Sequence, residues 1–182
     1  MPRTEKAAIV PASADRPDLK RNFIVQQGLP EPPAESCPLQ YSGLLFQPRI
    51  LGPTVLVAAL IQEPVPFALL AALLWWNALV PRLNPFDALY DRTVARRAGR
   101  VTLPPAPGPR RFAQGVAGTV SLAIAEALFE GWRAAALGLE VFLLVAIAAL
   151  VFGGLCLGSF LFHLLAGRAR FAVRTLPWGR GA

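Results

Sequence analysis

Two cysteines, a single histidine and a short row of glutamates are the residues in this 182-residue chain whose types could do chemistry. Cys37 and Cys156 could form a thiol pair. A reactive thiolate needs a nearby cation or a helix N-terminus. Cys156 lies within a long apolar run, where a small buried hydrophobe is the competing reading. Cys37 reads as the more exposed thiol, with Glu35 beside it. A Cys37–Cys156 disulfide would require the N-terminal arm to fold into the rest of the chain, on a reducing side of a membrane. His163 could serve as an axial ligand to a haem iron or a chlorin magnesium, or simply as a polar residue at headgroup level. Glu126 and Glu130 stand one helical turn apart. With Arg133 and Glu140 they read as an outer-rim polar cluster, set against the alternative of a proton or cation site.

Gly154 and Gly158 flank Cys156 at a spacing of four. Small residues so spaced allow two helices in lipid to approach closely. If the surrounding run is one helix, the glycines share a face and Cys156 points elsewhere. The stretch then reads as a packing seam. The chain carries no phosphate loop, no metal-ligand cluster and no nucleophile–base pair. It therefore offers no catalytic residue and no metal site, and it names no cofactor.

The elements that would position these residues are apolar. The chain is 54% hydrophobic and only 16% charged, against about 25% charge in a typical soluble domain. After an extended, proline-rich arm over 1–43, four apolar segments follow, at 44–62, 65–80, 112–129 and 134–165. A helix needs about 20 residues to cross the hydrocarbon core. The first three are short for that, and Pro48 and Pro53 predict a kink in the first. "QEP" predicts an antiparallel hairpin between the first two. The fourth has length to spare, either before Val141 or after Gly154. Within the arm, "RPDLKRNFIVQQG" suits a short helix or a strand. Asn77, in the second segment, is expected to hydrogen-bond between helices. Residues 166–182 form a basic tail.

Of the 18 lysines and arginines, 17 fall in the arm, the start of the first segment, the loop between segments two and three, and the tail. Only Arg133 lies in the other connections. The excess of base on cytoplasmic loops then places arm, middle loop and tail together in the cytoplasm. Arginines that flank apolar runs point to anionic headgroups rather than to nucleic acid.

In the middle loop, "NPFDALYDRTVARRAG" opens on Asn84 or Pro85. It has Asp87 in its first turn, Arg96 and Arg97 in its last, and Gly99 to end it, an order suited to the helix dipole. Phe86, Leu89, Tyr90 and Val94 give it an apolar face, as expected of a helix lying on the inner membrane surface. The Cys-Pro at Cys37, "NPFDALYDR", "PPAPGPRRFAQG" and the closing "GLCLGSFLF" together resemble an uncharacterised bacterial membrane family, domain of unknown function 4395, over roughly residues 37–165. The resemblance implies a four-helix integral membrane protein without established activity. Members of that family often close the last span with Cys-x-Gly-Cys. Here Ser159 takes the place of the second cysteine, which argues against a vicinal dithiol.

The expectation is thus an all-α polytopic protein of the bacterial inner membrane. It has four transmembrane helices, a cytoplasmic surface helix between spans two and three, and both termini in the cytoplasm. Its function reads as an accessory or scaffold subunit packed on other membrane-protein subunits. The alternative is a thiol-linked redox membrane protein using Cys37 and Cys156.

Overall fold

A computed structural model describes residues 18–95 and 103–179. The described residues are helical and contain no strand: α1 (Leu19–Gln26), α2 (Cys37–Leu44), α3 (Phe46–Ile61), α4 (Pro64–Leu79), α5 (Pro85–Tyr90), α6 (Gly108–Phe129), α7 (Arg133–Gly153), α8 (Leu157–Leu165) and α9 (Ala169–Arg174). Arg96, Arg97 and Gly99, expected to close the middle-loop helix, lie outside the described residues.

Local chemistry sets most of these boundaries. The Asp18 carboxylate accepts from the backbone N–H groups of Lys20 and Arg21 and opens α1. Asn84 does the same for α5, accepting from Phe86 and Asp87 at 2.9 and 3.4 Å. The chain breaks between α2 and α3 at Leu45. Pro48 has no N–H to offer the Leu44 carbonyl, so one helical bond is missing there. Gln62 ends α3 in the left-handed conformation, and Pro64 then opens α4 at its first position.

Helices α3, α4, α6 and α7 form the main bundle. The α4–α6 contact is the most extensive, and α7 bridges α6 and α3. Val55, Phe67, Leu70, Leu74, Ile124 and Leu143 are its buried core. At one end sits a second, basal layer made of α1, α2, α5, α8 and α9. Its core is Phe23, Ile24, Leu45 and Tyr90, together with both cysteines.

Three helical stretches are long and apolar enough to cross a membrane: Cys37–Ile61, Gly108–Phe129 and Arg133–Gly153. At about 1.5 Å per residue, the 16-residue α4 is shorter than a typical core. A fourth span is reached only if α4 is taken together with Pro81–Ala95, across a 120° bend.

One expectation about the flanking stretches needs correction. Residues 18–43 are not an extended arm. Helix α1 is driven into the basal core, with Phe23 and Ile24 1% and 0% exposed. The tail is held as well, because the Asn22 side-chain amide donates to the Leu176 and Gly179 carbonyls, both at 3.1 Å. On the middle-loop helix Tyr90 is buried and Leu89 is exposed.

The fourth apolar segment is not one helix. Gly154 takes φ +63°, a left-handed cap that ends α7, and the chain restarts as α8 at Leu157. The spare length of that segment is therefore the extension after Gly154. It folds back as a separate helix packed on α6.

Candidate functional site

The break at Gly154 changes the surroundings of Cys156. Instead of lying mid-helix, Cys156 is the residue that caps the N-terminus of α8. From there Ser159 and His163 follow at i+3 and i+7, the spacing of a single helix face. All three are buried, and the partner of that face is α1. The Gln26 side-chain oxygen accepts from the Cys156 backbone N–H at 3.1 Å. The Gln26 backbone carbonyl lies 3.0 Å from His163 Nε2. His163 is thus a core residue, enclosed by protein. Its ring meets those of Phe162 and Phe171 edge-on, with centroids 5.5 and 4.6 Å away. Among the described residues its Nδ1 has no partner, nor have Ser159 Oγ and Gln26 Nε2. Among the described residues no three potential metal ligands come together.

Gly154 and Gly158 do not share a helix face, because they sit on opposite sides of the break. Each is nonetheless in close contact. A β-carbon on Gly158 would lie 2.6 Å from both Cα and Cβ of Ala113 on α6. One on Gly154 would lie 2.8 Å from the Leu19 side chain of α1, in a backbone conformation that side chains resist.

Cys37, expected at the surface, is buried at the start of α2. It shares the basal apolar cluster with Cys156. Both thiols are free.

A second polar group lies where the starts of α3 and α6 meet α5. Its centre is Gln47 Oε1. That oxygen accepts from Gln114 Nε2 at 3.0 Å, from Arg110 at 3.4 Å and from Asn84 at 3.5 Å. Arg110 also donates to both oxygens of Asp87, at 2.7 and 3.1 Å. The Arg110 and Asp87 side chains are only 7% and 13% exposed. Gln114 Oε1 is buried and receives no hydrogen bond among the described residues.

Between the two groups is a cavity of about 100 Å³. Its walls are aliphatic, supplied by Leu51, Val55, Leu70, Leu74, Leu143 and Ile147. Its polar end is formed by Gln27, Gln47, Arg110 and Gln114, and Cys156 also lines it. An apolar chamber with a few convergent polar groups is the usual form of a small-molecule site.

The outer-rim cluster does not assemble. Glu126, Glu130 and Arg133 are exposed, and Arg133 makes no ion pair among the described residues. Glu140 leaves the group altogether. It is 1% exposed, and both its oxygens accept from Gln62 Nε2, at 3.0 and 2.9 Å. Asn77 is fully buried and neither side-chain atom is bonded among the described residues, contrary to the interhelical hydrogen bond expected of it.

Sequence reasoning missed Gln26, Gln47 and Gln114 altogether, and read Arg110 only as loop charge. One signal was available. Arg110 and Gln114 are four apart on the helix that enters the third apolar segment, so two polar side chains share a face. Polar groups so placed need partners inside the protein. Residues 45–166 match the family model described as Domain of unknown function (DUF4395). No curated protein and no solved structure matches the chain.

Proposed function

The chain belongs to the DUF4395 family, and from that premise we propose that it is a four-span integral protein of the bacterial inner membrane, acting as an accessory subunit on a larger complex. In this reading the basal layer faces the cytoplasm, α5 lies at the inner surface, and α4 is the short fourth span. Both termini are then cytoplasmic. The distribution of lysine and arginine supports that orientation.

One observation carries the reading. Helix α7 is the most apolar of the candidate spans, with mean hydropathy 2.6, yet only 17% of its most apolar stretch is buried by the rest of the chain. Val141, Phe142, Val145 and Phe152 project outward from it. The chain thus offers a full-length apolar helix that it packs only lightly itself. Lipid and a neighbouring subunit can share that surface.

A photo-crosslinking residue placed at Val145 or Phe152 tests this in membranes. Crosslinks to another protein are expected, and crosslinks to lipid alone would exclude the accessory role. Orientation is tested by Glu63→Cys and Trp178→Cys in a chain lacking the native thiols. An impermeant reagent should label position 63 in intact cells and leave 178 unmodified.

A second reading, a thiol-linked redox membrane protein, is favoured by one fact: Cys37 and Cys156 lie in the same buried cluster. The Cys37→Ser, Cys156→Ser double variant separates the two. Retained complex formation supports the accessory reading, and its loss supports the thiol reading.

A further inference from the structure

The cavity between the two polar groups has a polar end that is electrically balanced but one hydrogen bond short. Arg110 supplies its positive charge, and the bidentate contact with Asp87 cancels it. A carboxylate or phosphate headgroup would find no uncompensated cation there. Gln47 Oε1 already accepts three hydrogen bonds. Gln114 lines the cavity and carries a buried Oε1 that receives no hydrogen bond among the described residues. An unpaired buried acceptor costs about 1–3 kcal/mol, so a guest that supplies a donor gains from filling it. The remaining wall is aliphatic and matches an apolar body. A cavity of about 150 Å³ lined by such side chains admits a benzene ring, and this one, at about 100 Å³, is of similar order.

We propose that the cavity binds a small, neutral, lipid-soluble molecule with a hydroxyl donor on a ring-sized apolar body, the hydroxyl donating to Gln114 Oε1. Binding is separate from the accessory role, and neither depends on the other.

The test uses the full chain in detergent with phenol and with toluene, in which a methyl group replaces the hydroxyl. A ligand that binds only the folded protein raises its melting temperature. The phenol is expected to give a set rise at a concentration at least ten times lower than the toluene. In Gln114→Leu that ratio should fall below two. Comparing ratios between proteins cancels the different partitioning of the two molecules into detergent. Should Gln114→Leu not fold, Gln114→Met keeps an unbranched side chain of similar length and serves in its place. Three results would overturn the proposal: equal potency in the wild type, a phenol preference that survives at Gln114→Leu or Gln114→Met, or no shift from either compound, which would leave the polar end to water alone.

Discussion

Arg110 and Asp87 join the start of α6 to the first turn of α5 through two parallel hydrogen bonds. Neither side chain is accessible enough for water to replace the other. A buried ion pair is a weak source of net stability, but breaking one is costly because a charge is left unpaired. Asp87→Ala and Arg110→Ala should each destabilise the protein by about 3–5 kcal/mol. The double variant should cost clearly less than their sum, since groups in one network do not add. Denaturant unfolding of the three variants checks this, and strict additivity would disprove the coupling.

Gly158 and Cys156 separate contact from chemistry. Gly158→Leu forces a side chain against the α6 backbone at Ala113, and about 1–3 kcal/mol of overpacking is expected. Gly154→Ala places a side chain in left-handed backbone, at about 1–2 kcal/mol. Cys156→Ala removes one sulfur from a cavity wall and should cost less than Gly158→Leu. The reverse ranking in thermal melts would make Cys156 a site in its own right.

Asn77 is the simplest buried polar residue to replace. Its amide is desolvated and gains no bond, so Asn77→Leu should raise stability by about 1 kcal/mol. A lower melting temperature would point to a partner for the amide in the membrane.

Gln62 and Glu140 tie the turn after α3 to α7. Gln62→Ala strips the buried carboxylate of its only donor among the described residues. It should therefore be more damaging than Glu140→Gln, which keeps a polar group able to pair with Gln62. Unfolding measurements that rank the two the other way would assign the carboxylate charge itself a role.

Much of the helical layout is legible in the sequence for physical reasons. The uninterrupted apolar runs around α6 and α7 leave no other economical structure, and the Asn84-Pro85 pair announces the start of α5. The basal layer was harder to read. Phe23 and Ile24 are two apolar residues in a polar, proline-punctuated stretch, too short a run to reveal a periodic face. Gly154 illustrates a true ambiguity: a glycine inside an apolar run is equally a small contact residue or a left-handed cap. Only the tertiary partners, Leu19 on one side and Ala113 on the other, decide between the two. Reading that run as one helix displaced Cys156 from a helix start to a helix interior, and with it hid the shared face of Cys156, Ser159 and His163. Glu140 was grouped with its neighbours in sequence, although its partner, Gln62, belongs to a different turn.

The contacts between α1, α8 and the tail bear on the order in which the chain can be completed. Gln26 and Asn22 are matched by Cys156, His163, Leu176 and Gly179, which follow 130 to 157 residues later in the chain. Domains are generally built from the N-terminus as they emerge, so α1 can meet α2 early, through Phe23 and Tyr41, while its polar contacts wait for α8 and the segment after α9. Until then the side-chain amides of Asn22 and Gln26 must be satisfied by water or by another molecule. A chain halted before α8 would hold α1 by its apolar contacts alone.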